Sequence, residues 1–243
     1  MAGKIYVVGL GPGGAEDMTL RAVKTLEKCE VIVGYTTYIN LIKERFADKE
    51  FVVTGMKKEV ERCRAAVDEA RRGKIVAMVS SGDAGVYGMA GIMHEVAEPY
   101  DDIKIEVIPG ITAACSGAAR LGAPLISDFC LISLSDLMTP WKTIAKRLEL
   151  AAAADFVICL YNPGSKGRPG YLEKACRVIG RHLPPQTPAG IIRNIGRDGE
   201  TAVITTLAEL EKTEADMFTT VIIGNSRTKV IKGYMVTPRG YTL

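Results

Sequence analysis

Histidine is close to absent from this chain: His94 and His182 are the two in 243 residues. They lie far apart, and neither sits at a ligand-like spacing. That leaves little material for a zinc site or an imidazole acid–base centre, and no metal is predicted. Aromatic residues are also few, 6% with one tryptophan, and they do not interleave with the basic ones. Such a composition argues against a stacking platform for single-stranded nucleic acid. An excess of one sign of charge is missing as well. Lys and Arg number 31 against 28 Asp and Glu, a net +3, too even for coating nucleic acid or a membrane surface. No apolar run reaches the roughly 18 residues that a membrane span needs. The opening Met1-Ala2-Gly3-Lys4-Ile5-Tyr6 enters a strand-like stretch without a signal-peptide layout, so the expected location is the cytoplasm.

Six cysteines are present, but no two lie closer than Cys115 and Cys130, so there is no C-x-x-C knuckle. Cys130 and Cys159 fall in apolar strand-like runs, and Cys63 and Cys176 on the apolar side of helical patterns. They read as free, buried thiols acting as small hydrophobes.

What is there is a globular α/β pattern, 47% hydrophobic and 24% charged. Residues 4–9 read as a strand ending in Gly9-Leu10-Gly11-Pro12-Gly13-Gly14. A helix follows from the N-cap Thr19, with Leu20, Val23 and Leu26 on one face. Residues 31–34 form a second strand. Residues 57–72 give an amphipathic helix through Val60, Cys63, Val67 and Ala70, closed by Gly73. The strand 75–79 runs into Ser80-Ser81-Gly82-Asp83-Ala84-Gly85. Helix 89–98, strand 104–108 and the turn Pro109-Gly110-Ile111-Thr112 lead to a helix of small residues, Ala113–Leu121, which allows close backbone approach. The pattern then restarts: strands at 129–134, 155–161, 189–194, 202–205, 218–224 and 229–235, helices at 140–153, 171–182 and 207–212. Alternation of this kind predicts parallel or mixed sheets covered by helices. The expected architecture is α/β, two lobes with a cleft between them, residues 1–122 and 123–243.

Gly9–Gly14 satisfies G-x-G-x-x-G after a strand, with Glu30 about 20 residues on, as in a dinucleotide fold. Two details oppose an NAD(P)-dependent oxidoreductase. Pro12 brings no N–H to the loop, and Glu30 precedes the second strand where a ribose-binding acid should end it. Asp83 stands in a turn at the carboxyl end of a strand, as a turn former or as a ligand contact. Together with the loop at Pro109-Gly110, three Gly-rich turns share one sheet edge and predict a ligand pocket. In the second half Lys166 and Arg168, then Arg193 and Arg197, follow strand ends. Collected at one edge they would suit a multiply carboxylated ligand; singly they read as solvated loop charge.

Gly9-Leu10-Gly11-Pro12-Gly13, Ser81-Gly82-Asp83-Ala84-Gly85-Val86-Tyr87-Gly88 and Pro109-Gly110-Ile111-Thr112-Ala113 together resemble the tetrapyrrole methylase superfamily. Ser133-Leu134-Ser135-Asp136-Leu137-Met138-Thr139-Pro140-Trp141, Leu160-Tyr161-Asn162-Pro163-Gly164-Ser165-Lys166 and Arg193-Asn194-Ile195-Gly196-Arg197 look like its precorrin-3B (or cobalt-precorrin-3B) C17-methyltransferase branch. The resemblance covers essentially the whole chain. It implies a homodimer of two-lobed subunits using S-adenosylmethionine, with a tetrapyrrole substrate methylated at C17 and its ring contracted during cobalamin biosynthesis. Residue by residue, it implies donor contacts from Pro12, Ser81, Gly82, Asp83, Val86, Thr112, Ala113, Tyr161, Asn162, Asn194 and Ile195.

Methyl transfer to an electron-rich macrocycle carbon needs no protein nucleophile, which suits a chain with no triad. Ring contraction adds proton transfers, for which Ser135 and Asp136 are candidates; equally, they read as a turn capping the helix near Pro140. Lys166, Arg168, Arg193 and Arg197 are the candidates for holding substrate carboxylates. Another precorrin methylase and a diphthine synthase stay open within the superfamily.

Overall fold

The computed structural model describes residues 3–165 and 169–242 and divides the chain into two units, Met1–Ala113 and Ala114–Leu243. In the first unit the strand β1 (Gly3–Gly9) lies inside the sheet, with Ile5 and Val7 on one face and Val8 on the other fully buried. Helix α1 (Leu20–Lys28) follows, capped by Thr19, whose Oγ1 accepts the Ala22 amide at 3.0 Å. Then come β2 (Val31–Tyr35), α2 (Thr36–Asn40), β3 (Glu50–Thr54), α3 (Glu59–Arg71), β4 (Ile75–Ser80), α4 (Ala90–Ala97) and β5 (Ile103–Ile108). The sheet runs β3-β2-β4-β1-β5 with every pair parallel. A parallel sheet has to be covered on both faces, and it is. Ile5, Val7, Val31 and Val33 pack with Cys63, Ala66 and Val67 of α3 and Met93 of α4. On the opposite face Val8, Ile32 and Val79 pack with Ala22 and Leu26 of α1.

The second unit takes in nearly all of α5 (Ala113–Leu121), then β6 (Gly122–Ala123), β7 (Phe129–Ser133), α6 (Trp141–Ala153), β8 (Val157–Tyr161) and α7 (Tyr171–Ile179). It continues with β9 (Pro188–Arg193), β10 (Thr201–Thr206), α8 (Leu207–Leu210), β11 (Thr219–Ile223), β12 (Lys229–Ile231) and β13 (Tyr234–Val236). Its main sheet is mixed, in the order β10-β9-β11-β8-β7, with β7 and β8 parallel and the other pairs antiparallel. One face meets α6, α7 and α8 through Ile144, Leu148, Leu172, Ile179 and Leu207. On the other side Gly117 of α5 lies against Ile192 and Ile195, where a Cβ would come within 3.2 and 3.3 Å of their Cδ1 atoms.

The two compact units divide at the start of α5. The reason is local: α5 packs through Gly117 and Leu121 on β9, and β6 pairs with β13. The final stretch is two strands, because Lys232 and Gly233, with φ of 50° and 84°, turn the chain back into a β12–β13 hairpin. The elements α2 and β3 were not anticipated. The predicted helix faces are buried except at their first positions: Val23 and Leu26 of α1 and Cys63, Val67 and Ala70 of α3 are inside, whereas Leu20 is 78% exposed and Val60 44%; Arg62 and Glu69 are buried as well.

Candidate active site

In the first unit, β1, β4 and β5 end side by side, with Gly9 opposite Ser80 and Val8 opposite Ile108. Their three following loops interlock through backbone. The Leu10 amide donates to the Ser80 carbonyl at 2.8 Å, and Gly11 and Gly82 exchange both hydrogen bonds, at 3.0 and 2.6 Å. Glycine is required for this closeness. A Cβ on Gly9 would lie 2.7 Å from both the Gly110 nitrogen and the Gly82 oxygen, and one on Gly110 would lie 2.2 Å from the Gly82 oxygen. Asp83 then staples the group: its Oδ1 accepts the Gly85 amide at 2.8 Å and its Oδ2 the Gly110 amide at 2.9 Å. Pro12 is buried, whereas Ser81, Asp83, Val86, Thr112 and Ala113 are half-buried. The geometry brings all the donor candidates of this unit to one edge.

The same contacts bear on a dinucleotide. The first amides of the glycine loop are already bonded to the β4 loop, and the next residue is Pro12. The helix that should aim its N-terminus at a pyrophosphate starts only at Leu20, after a short 3-10 turn at Ala15–Asp17. A loop of this kind suits a ligand without phosphates.

In the second unit β7, β8 and β9 run in one direction, so Ser133, Tyr161 and Arg193 end at one edge. The Tyr161 hydroxyl accepts the Ala114 amide at 2.8 Å, satisfying a donor in the first turn of α5. Asn162 and Asn194, with φ of 53° and 51°, take the left-handed conformation that asparagine tolerates better than most residues. Asn162 Nδ2 donates to Ser133 Oγ at 2.9 Å; the Asn194 amide donates to the Phe218 carbonyl at 3.1 Å. Ile195 is buried beneath α5.

Ser135 and Asp136 do not cap α6, whose N-cap is Pro140 with no side-chain cap bond. The Ser135 amide donates to Ser133 Oγ at 3.2 Å, and Asp136 Oδ2 accepts the Tyr171 hydroxyl at 2.5 Å. Tyr171 was missed by sequence reasoning. It begins α7 and stacks on Trp141, which begins α6, with ring centroids 5.0 Å apart and Lys174 Nζ 4.9 Å from the Tyr171 ring centroid. The signal available was an aromatic at the first position of each helix. Arg193 donates to the Glu214 carbonyl, and Arg197 lies 5.6 Å from the Phe218 ring centroid. Lys166 and Arg168 lie outside the described residues.

All six cysteines are free. Burial pushes the Cys29 and Cys176 thiols up to about 12 and those of Cys63 and Cys130 up to about 11, and raises Cys159 further; Cys115 is exposed. Among the described residues no group of three or more His, Cys, Asp or Glu is placed to hold a metal, and no helix is long and apolar enough to cross a membrane.

A sequence model of the family described as Tetrapyrrole (Corrin/Porphyrin) Methylases matches residues 4–211. The chain is 48% identical over 240 residues to the "Probable cobalt-factor III C(17)-methyltransferase" of Salmonella typhimurium, covering 98% of this chain and 100% of that protein. It is 39% identical over 250 residues to the "Precorrin-3B C(17)-methyltransferase" of a Sinorhizobium species, covering 99% and 98%. Some other relatives are longer, and the chain spans 46% of one of them. The crystal structure of the methyltransferase CobJ matches with a TM-score of 0.90 at 34% identity, covering 97% of this chain and 100% of that one.

Proposed function

The chain belongs to the tetrapyrrole (corrin/porphyrin) methylases, and from that premise we propose that it transfers a methyl group from S-adenosylmethionine to C17 of precorrin-3B or its cobalt-bearing counterpart, with contraction of the macrocycle, in cobalamin synthesis. The relatives' names favour this over another precorrin methylase or a diphthine synthase. The higher identity is to the relative named for cobalt-factor III, which favours the cobalt-bearing substrate.

One observation carries the donor assignment: the reciprocal Gly11–Gly82 hydrogen bonds with Pro12 next in the chain. They use the loop's first amides and disfavour NAD(P), whereas S-adenosylmethionine, a sulfonium with a carboxylate, has no phosphate to place. We assign Pro12, Ser81, Gly82, Asp83, Val86, Thr112 and Ala113 of the first unit to the donor, with Tyr161, Asn162, Asn194 and Ile195 of the second. Bound there, S-adenosylmethionine supplies an electrophilic methyl group. The chain's own part is to position and to exclude water, because the electron-rich substrate carbon is the nucleophile. Asp83 fixes two of the loops, and Tyr161 fixes the start of α5.

Asp136, held by Tyr171, is assigned to proton transfer during contraction, with Ser135 beside it. Arg193 and Arg197, with Lys166 and Arg168, are assigned to the substrate's carboxylates. The proposal includes a homodimer working in the cytoplasm, where six free thiols stay reduced.

The test is calorimetric titration with S-adenosylhomocysteine, with NADH and NADPH in parallel. Incubation with cobalt-factor III and with precorrin-3B follows, read by mass spectrometry. Binding of the homocysteine product alone, and one added methyl on a macrocycle, is the expected outcome. Dinucleotide binding alone would refute the reading.

A further inference from the structure

Arg62 of α3 is a buried cation with no anion beside it among the described residues. It is 4% exposed, and its guanidinium reaches the carboxyl edge of the first sheet. There Nε donates to Thr54 Oγ1 at 2.7 Å, Nη2 donates to the Gly55 carbonyl at 2.9 Å, and Nη1 lies 3.6 Å from the Met89 sulfur. The Tyr35 ring centroid is 5.8 Å from the guanidinium carbon. Of the acids along α3, Glu61 pairs with Lys58, and Glu69 with Arg72 and Lys74. Among the described residues no carboxylate lies within ion-pair distance of Arg62.

Burying an ion without its counter-ion costs several kcal/mol. Two neutral oxygens and a thioether offset part of that, and the remaining positive potential emerges where the surface is nearest. That surface is formed by Thr54 and Tyr35, both half-buried, and by exposed Gly55. Thr54 is the outlet. Its Oγ1 already accepts from Arg62, so the hydroxyl proton is left to be donated, and a hydroxyl polarised by a cation is a stronger donor than a free one. Beside it Tyr35 and Tyr38 stand edge to face, with centroids 5.2 Å apart and planes at 87°, giving a flat apolar flank. Met89 joins this corner to the β4 loop, since its amide donates to Ser80 Oγ at 3.3 Å.

We propose that this corner is a carboxylate subsite, in which one acidic arm of the macrocycle accepts the Thr54 hydroxyl above the buried Arg62 charge and lies against Tyr35. The proposal rests on the reading that the substrate is a carboxylated tetrapyrrole. It assigns to the first unit a substrate contact that the basic loops of the second unit do not supply.

The experiment is a pair of titrations on the full chain: cobalt-factor III by visible absorption under anaerobic conditions, and S-adenosylhomocysteine by calorimetry. Wild type, Thr54→Val, Arg62→Met and the double variant are compared. Each single change is expected to weaken macrocycle binding about tenfold or more, the loss of a hydrogen bond to a charged group. The two effects are expected to be far from additive, because both remove the same relay. Affinity for S-adenosylhomocysteine is expected to stay within about twofold, as for a site that shares no contact. Thr54→Val is isosteric and leaves Arg62 its bond to the Gly55 carbonyl, so it decides the matter if Arg62→Met fails to fold.

Unchanged macrocycle affinity in Thr54→Val, with wild type binding normally, overturns the subsite. So does an Arg62→Met variant that loses both ligands alike while Thr54→Val loses neither, since Arg62 would then be a structural staple. Failure of wild type to bind the macrocycle while it binds S-adenosylhomocysteine refutes the assigned substrate, and the subsite with it.

Discussion

Asp83 and Gly110, 27 residues apart, are joined by a hydrogen bond of 2.9 Å from the Gly110 amide to Asp83 Oδ2. The other carboxylate oxygen takes the Gly85 amide, so one side chain sets both its own turn and the loop after β5. Asp83 is therefore first a builder of the edge on which a ligand would rest.

Asparagine at this position offers one acceptor where two are needed. Asp83→Asn leaves either the Gly85 or the Gly110 amide facing an NH2 group, at a loss of about 1–3 kcal/mol. A lower urea midpoint together with weaker S-adenosylhomocysteine binding is expected. A destabilised variant with undiminished affinity would separate Asp83 from donor binding.

Gly110→Ala tests the interlock itself. The new Cβ meets two backbones, 2.2 Å from the Gly82 oxygen and 2.7 Å from the Gly9 carbonyl carbon, so a loop has to move. Loss of about 1–3 kcal/mol is expected from overpacking, with loss of measurable S-adenosylhomocysteine binding. Gly91→Ala in α4 is the control, because nothing lies within 4 Å of its Cβ, and it should stabilise by about 0.5–1 kcal/mol.

These glycine loops were legible because each follows a short apolar strand, and glycine clusters after strands have few other uses. The stretch that became α2 and β3 was not. Its charges, Lys43-Glu44-Arg45 and Asp48-Lys49-Glu50, mask a half-buried edge strand with no turn signal before it. Lys232-Gly233 hid the hairpin, since lysine seldom adopts a positive φ. Arg62 was hidden for a different reason. A helical pattern counts arginine as polar and outward, but here the oxygens that satisfy it lie at the end of β3, which no local pattern connects to α3. Tyr171 and Asp136 likewise meet only through the fold.

Thiol chemistry checks the burial. At about pH 8 an aromatic disulfide reagent should find one fast-reacting thiol in the native protein, Cys115, because the other five are held protonated. Cys115→Ala should remove that signal, and denaturant should release the rest. Two or more fast thiols would contradict the packing described for the strands and helices.

Glu69 gives a pH dependence with a defined sign. Its carboxyl is held below the ordinary range, chiefly by Lys74, whose Nζ is 3.0 Å from Oε2, and also by Arg72. A lowered native value adds stability above the ordinary glutamate range, and that stability is lost as pH falls through the native value. Urea midpoints of wild type should exceed those of Glu69→Gln near neutrality, with the gap closing under acid conditions. A gap that stays constant with pH would mean the carboxylate charge plays no part.

Tyr171→Phe keeps the stack on Trp141 and removes the hydroxyl given to Asp136. Turnover of the macrocycle is expected to fall about tenfold or more, as for a lost hydrogen bond to a charged group, with S-adenosylhomocysteine binding intact. Equal turnover by the two proteins would exclude a positioning role for Tyr171.

The two sheets also differ in when they can form. Lys4 of β1 pairs with Ile75 and Lys104, so β1, an interior strand of the first sheet, has both its partners far downstream. During synthesis β1 has no neighbour until β4 emerges, and the sheet is incomplete until β5 does. The second sheet starts from nearer neighbours: β9 and β10 join through a short turn, from Arg193 to Thr201. Non-local parallel pairing is slow and leaves apolar edges open, whereas a hairpin closes quickly. The apolar β1 is thus made first yet stays unpaired until β4 is made, which makes it a segment in need of protection on the ribosome.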